Sequence, residues 1–186
     1  MFSIIKFYIL LFLTVFICHS LPSIAETINF DGIFVEDACD LYPGDELITL
    51  DFGTIADKYL YLNSRTLSES FSIRLINCDL SLGREINASF NGNENSFLSG
   101  YLALDPVSHA NGIAIGLETD TGEKIDINTK DHTQKLSAGN NEIRLKAFIQ
   151  GEPSALTNKT ISYGTFISTL TFFLEYNWIY KIRIEL

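Results

Sequence analysis

Apolar and polar residues alternate with a period of two through most of the chain after residue 25, which is typical of strands with one buried face. The strictest alternation lies in residues 71–76. Similar but weaker patterns predict further strands, at 28–34, 47–52, 86–90, 97–104, 112–118, 124–128, 142–149 and from about residue 168 onward.

Clusters of Gly, Asn, Asp and Ser separate these segments, and no helical periodicity extends over a dozen residues. Short strands at a spacing of roughly ten residues, with no helix between them, indicate a β-sandwich or barrel. No repeat, low-complexity tract or linker divides the chain. We therefore predict one all-β domain.

The first 25 residues are laid out like a signal peptide. Lys6 precedes an apolar run at 7–18, and the small residues Ser23 and Ala25 form an A-x-A-like cleavage site. The apolar run, of about 12 residues, is shorter than the ~20 that cross a bilayer. We expect residues 1–25 to be removed, the exported chain to begin at Glu26, and no stable membrane insertion.

The charge of the chain argues against two classes of partner. Thirteen Lys and Arg residues face 23 Asp and Glu residues, a formal net charge of −10. Such a surface repels phosphate backbones and anionic lipid, so we expect neither nucleic acid nor a peripheral membrane partner.

Export also changes the interpretation of the cysteines. Cys18 lies in the leader, which leaves Cys39 and Cys78 in the exported chain. Two cysteines in an oxidising compartment most simply form one disulfide. A metal site would need His109 and His132 as additional ligands, and no pair of Cys or His has ligand spacing. We expect the disulfide, and neither metal nor cofactor.

Motifs for catalysis are missing from the sequence. It has no Gly-x-Ser-x-Gly elbow, no phosphate-binding glycine loop and no His-Glu-x-x-His helix. His109 and His132 lie in polar, turn-like stretches and are predicted to be surface loop residues. The acidic residues around Gly122 do not have the spacing of a calcium loop. We therefore predict no catalytic residues and no enzyme.

Four features follow one another along the chain. They are a signal peptide followed by Ile28-x-Phe30-x-Gly32-x-Phe34; Cys39 and a partner in Phe71-x-Ile73-x-Leu75-x-x-Cys78; Ala88-Ser89-Phe90-Asn91-Gly92 and then an apolar strand at 112–117; and Thr169-x-Thr171-Phe172-x-Leu174-Glu175-Tyr176-Asn177. This ordered set spans residues 1–177. It resembles the type 1-like fimbrial subunits, or pilins, of the chaperone–usher pathway.

The resemblance implies an incomplete immunoglobulin-like β-sandwich, the pilin fold, which lacks its last strand. Residues 26–37 would be an N-terminal donor strand that inserts Ile28, Phe30, Gly32 and Phe34 into a neighbouring subunit. Phe172, Leu174 and Tyr176 would line the acceptor groove, where a chaperone also binds. The implied partners are other fimbrial subunits, a periplasmic chaperone and an outer-membrane usher. The implied location is the fimbrium at the bacterial cell surface.

This layout divides the chain into a leader (1–25), a donor extension (26–37), a pilin domain (38–177) and an atypical tail (178–186). The arm before Ile28 is short, which is more typical of minor or adaptor subunits than of major rod subunits.

Two alternative functions stay open at this point. One is a self-sufficient secreted sandwich that binds carbohydrate. The other is a terminator subunit whose tail fills its own groove. The tail could also be a longer last strand or a reading-frame accident near the stop codon.

Overall fold

The computed structural model describes residues 36–130 and 132–178. Eight strands and two short helices follow one another in this part of the chain. They are β1 (Asp40–Leu41), α1 (Asp57–Asn63), β2 (Glu69–Cys78), β3 (Gly83–Asn91), β4 (Ile113–Thr119), β5 (Lys124–Ile125), β6 (His132–Lys135), β7 (Gly139–Gly151), α2 (Pro153–Asn158) and β8 (Thr171–Trp178).

The strands form two antiparallel sheets. One has five strands in the order β1-β2-β7-β4-β5, and the other has three in the order β6-β3-β8. Alternate side chains of both sheets are buried in one core, which contains Ile73, Leu75, Ile86, Phe90, Ile143, Leu145 and Ile149 at under 2% exposure. This arrangement confirms the predicted all-β sandwich.

A bulge in β2 turns Cys78 towards the core. Ile73 and Leu75 face inward, so strict alternation would turn residue 78 outward. The pairing with β7 shifts by one residue between Leu75 and Cys78, and Asn77 has a φ of 55°. Asn tolerates this left-handed conformation better than most residues. The extra residue brings Cys78 to the inner side, where it forms the predicted disulfide with Cys39.

The outer face of the larger sheet carries a second, smaller buried cluster. Phe148 lies flat over Gly116, where a Cβ atom would overlap its ring, and is only 2% exposed. The Arg65 guanidinium stacks 3.5 Å from the ring centroid and donates a 3.0 Å hydrogen bond to buried Glu118. Burial raises the pKa of Glu118, but hydrogen bonds from Ser68 and Arg65 outweigh it and lower the pKa overall. This cluster holds the chain after α1 against the sheet.

Both helices are too short for sequence periodicity to reveal. α1 buries Leu60 and ends at Ser64, whose φ is 65°. α2 begins with Pro153, which suits the first turn of a helix because its missing N–H is not needed there. Within residues 36–130 and 132–178, no helix has the length and apolar character to span a bilayer.

Two predicted strands are wrong. Residues 47–52 alternate but pair with no strand among the described residues. Residues 97–104 form a loop in which Leu102 makes isolated bridges to Glu94 and to Ile115. The strand predicted at 124–128 is reduced to the two residues of β5. The predicted strand at 28–34 lies outside the described residues.

The prediction that His132 is a surface loop residue is also wrong. His132 is half-buried on β6, where it pairs with Ala88 of β3. Its pKa is lowered because burial disfavours the charged imidazolium, although Asp120 acts in the opposite direction. The polar composition of β6 concealed a strand that lies at the edge of its sheet. His109, by contrast, is exposed in a loop, as predicted.

Removal of the disulfide should destabilise the domain substantially. The bond joins residues 39 positions apart, and closing a loop of that length is worth roughly 4 kcal/mol in the chain-entropy model. The double variant Cys39→Ser/Cys78→Ser should lose about this much unfolding free energy in urea titrations followed by circular dichroism. Reductant should destabilise the wild type equally and leave the variant unchanged. Equal stability of the oxidised wild type and the variant would contradict the expectation.

Candidate functional site

The last strand, β8, pairs with β3 and lies at the edge of the smaller sheet among the described residues. In this register Phe172 lies opposite Phe90, Leu174 opposite Ala88 and Tyr176 opposite Ile86. Because those three β3 residues are in the core, the even-numbered side chains of β8 face the sandwich interior.

These inward-facing side chains are only partly covered. Phe172, Leu174 and Tyr176 pack against the core but are half-buried, and so are Phe166 and Leu170 just before β8. The intervening odd-numbered residues are exposed, with Phe173 at 48%. One row of apolar side chains therefore runs from Phe166 to Tyr176 with a flank left open.

A second row faces it from residues 47–55. Ile48, Leu50 and Phe52 are half-buried against the core, whereas Leu47, Thr49 and Asp51 between them are exposed. Within the described parts of the chain, no backbone–backbone hydrogen bond joins this segment to another. Its side chains alternate between buried and exposed as in a β-strand, although no strand among the described residues pairs with it.

The two rows meet at one end, where the ring centroids of Phe52 and Phe166 lie 6.2 Å apart. At the other end of the β8 row, the Tyr176 hydroxyl donates a 3.1 Å hydrogen bond to the carbonyl of Cys39, which precedes the second row in the chain. We call the apolar channel between the rows the groove, and its walls are Ile48, Leu50 and Phe52 on one side and Phe166, Leu170, Phe172, Leu174 and Tyr176 on the other.

A cavity of about 500 Å³ lies at the Phe52–Phe166 end. Polar and apolar atoms contribute almost equally to its lining. The apolar part includes Leu50, Phe52, Ile55, Leu60, Ile113, Ile149, Ile161 and Phe166, and the polar part includes Asp51, Thr54, Asp57, Ser162, Tyr163 and Thr165. This end of the groove therefore has room for an inserted side chain beside both apolar and polar groups.

An ion pair between buried Asp45 and exposed Arg74 fixes the chain just before the 47–55 wall. Asp45 is 4% exposed and accepts hydrogen bonds from the backbone N–H (2.8 Å) and Nε (3.0 Å) of Arg74, as well as from its Nη2. These hydrogen bonds from Arg74 hold the pKa of Asp45 below its usual value, even though burial opposes them. The ion pair therefore attaches the wall to β2, which no backbone hydrogen bond between the described residues of the wall and β2 does.

Tyr176 has an altered acidity at the other end of the groove. Burial raises the pKa of its hydroxyl, and the nearby carboxylates of Asp37 and Asp40 raise it further. The hydroxyl therefore keeps its proton at neutral pH and remains a donor to Cys39.

The structure brings together only part of the predicted site. Phe172, Leu174 and Tyr176 share one side of β8, whereas the predicted donor residues Ile28, Phe30, Gly32 and Phe34 lie outside the described residues. The facing wall and Phe166 were not anticipated. The alternation at 47–52 indicated the wall, but we interpreted these residues as a strand paired within a sheet.

Among the residues that the structure describes, no three His, Cys, Asp or Glu side chains are grouped closely enough to hold a metal ion.

Comparison with known proteins gives a consistent family assignment. The profile of the family described as "Fimbrial protein" matches residues 28–177. The fimbrial adapter PapK of Escherichia coli is 31% identical over 83% of this chain and 89% of its own. The fimbrial-like protein YfcP of Escherichia coli K12 is 30% identical, covering 80% and 82%. The major MR/P fimbria protein of Proteus mirabilis is 28% identical, covering 81% and 83%.

Solved structures agree on the fold. The P pilus rod subunit PapA superimposes with a TM-score of 0.66 at 18% identity, covering 76% of this chain and all of that one. A subunit from the structure of a chaperone–usher pilus gives a TM-score of 0.65 at 18% identity, covering 85% and 99%.

The Asp45–Arg74 pair predicts a specific loss of stability in acid. Because the folded-state pKa of Asp45 is lowered, its carboxylate stabilises the fold above the unfolded pKa of about 4, and this contribution is lost as the pH falls further. Urea midpoints of the wild type should fall between about pH 5 and pH 3. The urea midpoint of Asp45→Asn should be lower than that of the wild type at pH 5 and should change less between pH 5 and pH 3.

Parallel pH curves for Asp45→Asn and the wild type would show that the ion pair does not cause the acid sensitivity.

Proposed function

This chain belongs to the fimbrial protein family and is a structural pilus subunit, and we propose that it polymerises by donor-strand exchange, without catalysis. Its groove accepts the N-terminal arm of one neighbour, and its own arm completes another subunit. The observation that carries this proposal is the pair of apolar rows, one on β8 with the segment before it and one on residues 48–52, which stay half-buried and meet at Phe52 and Phe166.

An inserted strand would satisfy both needs of the groove. Its backbone would extend the ladder from β8, and its alternate side chains would cover the apolar walls. Complete burial of one large apolar side chain contributes roughly 1.5–3 kcal/mol. Because several wall residues gain cover at once, the resulting joint should be long-lived.

Residues 26–37 are suited to the donor role. Ile28, Phe30 and Phe34 recur at every second position, as an inserting strand requires, and Gly32 offers a place for close approach of the acceptor backbone. We assign residues 1–25 to a cleaved leader and residues 38–177 to the acceptor domain, with 178–186 as an additional tail.

An open apolar groove beside an unpaired edge favours aggregation. We therefore propose that a periplasmic chaperone covers the groove until an outer-membrane usher exchanges it for a neighbouring arm. The family places the finished assembly in a fimbrium at the cell surface. We infer a minor or adaptor subunit, because only Glu26 and Thr27 precede Ile28 in the exported arm.

Substitutions of opposite parity on β8 test the groove directly. Phe172→Asp places a charge in the groove. In subunit refolded at high dilution to limit aggregation, it should weaken binding of a fluorescent peptide of residues 26–36 at least about tenfold in anisotropy titrations. Phe173→Asp is the matched control, because Phe173 is exposed on the other face. It should bind within about twofold of the wild type, as a surface substitution does. Equal binding by Phe172→Asp and the wild type would refute the proposal.

The chaperone requirement has its own test. Expressed alone in the periplasm, the chain should aggregate or be degraded, whereas co-expression with the chaperone of a chaperone–usher system should give a soluble heterodimer. Leu174→Asp should reduce the yield of that heterodimer, and Phe173→Asp should not. A soluble and stable monomer without any chaperone would argue for a self-sufficient binding module instead.

A further inference from the structure

Two Asn-Gly dipeptides occur in the sequence, Asn91-Gly92 and Asn111-Gly112. In such a pair the backbone nitrogen of the glycine can attack the side-chain amide carbon of the asparagine, because a residue without Cβ leaves that path unhindered. Both asparagines are exposed in the fold. Access to water therefore does not distinguish the two pairs, whereas the hydrogen bonds of the two glycine N–H groups do.

The fold holds the glycine nitrogen of the first pair away from this reaction. Asn91 is the last residue of β3 and pairs with Thr171 of β8. The Gly92 N–H donates a 3.1 Å hydrogen bond to Oδ1 of Asn128, and Nδ2 of Asn128 donates a hydrogen bond of 3.1 Å to the Gly92 carbonyl. A side chain 36 positions further along the chain therefore holds both backbone polar groups of Gly92.

The second pair has the opposite arrangement. The Gly112 N–H donates a 2.6 Å hydrogen bond to Oδ1 of Asn111, its own neighbour in the chain. This contact closes a small ring and brings the Gly112 nitrogen next to the Cγ atom that it would attack. β4 begins only at Ile113, so Gly112 lies outside the described ladder between β4 and β7.

Packing favours glycine at position 112. Its φ is 82°, in the left-handed region, and a Cβ atom there would lie 2.8 Å from the Cβ of Ala155 in α2. A larger residue would be both strained and crowded, so the chain cannot slow the reaction by placing a bulky side chain after Asn111. The reactive dipeptide is thus a consequence of how the start of β4 meets α2.

We propose that Asn111 is a site of spontaneous conversion to aspartate and isoaspartate in the folded subunit. The Gly112 nitrogen gives up its proton to water and forms a bond to Cγ of Asn111. The Cγ–Nδ2 bond breaks, and Nδ2 takes up a proton and leaves as ammonia. Water then opens the cyclic imide at either carbonyl, which gives aspartate or isoaspartate. Overall, water is consumed, ammonia is released and an amide becomes a carboxylate.

The modified position helps to hold one wall of the groove. The His109 N–H donates a 2.8 Å hydrogen bond to the Thr165 carbonyl. Asn111 and Ser162 exchange backbone hydrogen bonds of 3.3 and 3.0 Å. Phe166, which belongs to the groove wall, follows Thr165 directly. Residues 109–111 are therefore the attachment of the segment that leads into this wall.

Isoaspartate would disturb this attachment because it lengthens the main chain between residues 111 and 112 by a methylene group. The Gly112 carbonyl accepts a 2.9 Å hydrogen bond from the Glu152 N–H, which holds Gly112 in place. The extra length therefore displaces Asn111 and weakens its pairing with Ser162. An acceptor groove that waits for a donor arm then loses binding capacity with time, a step that rests on the proposed donor-strand function.

Peptide mapping by mass spectrometry compares both Asn-Gly pairs within one sample. In the exported chain, refolded at high dilution and kept at mildly alkaline pH, Asn111 should convert at least about tenfold faster than Asn91, because Gly92 must first break its hydrogen bonds with Asn128. In the same chain unfolded in urea with its disulfide intact, the two rates should be alike. Conversion of Asn111 that is slower in the folded chain than in urea, or no faster than that of Asn91, would overturn the modification site.

Donor binding tests the effect on the groove. Asn111→Gln is the matched control, because its longer side chain retains the amide but places the amide carbon one bond further along the side chain. Binding of the fluorescent 26–36 peptide by the wild type should fall in proportion to its isoaspartate content, whereas Asn111→Gln should keep its initial binding through the same incubation.

The possible failures of this inference and of the proposed function are distinguishable. Equal losses of binding by the wild type and Asn111→Gln would overturn the link between Asn111 and the groove. Failure of every fresh sample to bind the peptide would overturn donor-strand exchange, and the effect on the groove with it. The modification site itself is decided by peptide mapping, which requires no donor.

Discussion

The position of β8 at the edge of the smaller sheet, among the described residues, is the constraint on which the rest of this protein depends. A strand at a sheet edge presents backbone groups to any chain that can pair with them, and here that edge adjoins two rows of half-buried apolar side chains. Soluble proteins usually protect such an edge with charge, a bulge or a covering segment. In the described part of this domain the edge is accompanied by apolar walls, which makes sense for a subunit whose fold is completed by another chain.

Contacts elsewhere in the domain hold the two walls of the groove in position. The 47–55 wall has no ladder in the described residues, so it relies on anchors at its two ends. Before it stand the Cys39–Cys78 disulfide and the Asp45–Arg74 pair, and after it stands α1, which buries Leu60. The buried cluster around Phe148 and Glu118 then holds the chain that leaves α1. Local contacts of this kind replace the cooperative hydrogen bonding that a complete sheet would provide.

Much of the fold could be predicted because burial and alternation coincide in its central strands. β2, β3, β4, β7 and β8 each have one face in the core, and each was predicted from its sequence. The prediction of a strand at 47–52 was wrong because alternation indicates only which side chains are buried. A strand in a sheet also needs a neighbouring strand to pair with. The opposite error occurred at β6, which is a strand that was not predicted. An edge strand made of polar residues shows little alternation of apolar and polar positions. Phe166 could not be placed from sequence, since it reaches the groove through an irregular segment.

The covalent link at Cys39 has a mechanical consequence. Beside the disulfide, the Ala38 carbonyl accepts a 2.8 Å hydrogen bond from the Asp79 backbone N–H. Tension applied to the chain before Cys39 would pass through the disulfide to Cys78, at the end of β2, as well as along the chain into β1. The load would therefore reach a ten-residue strand that is paired with β7, and not only the two residues of β1.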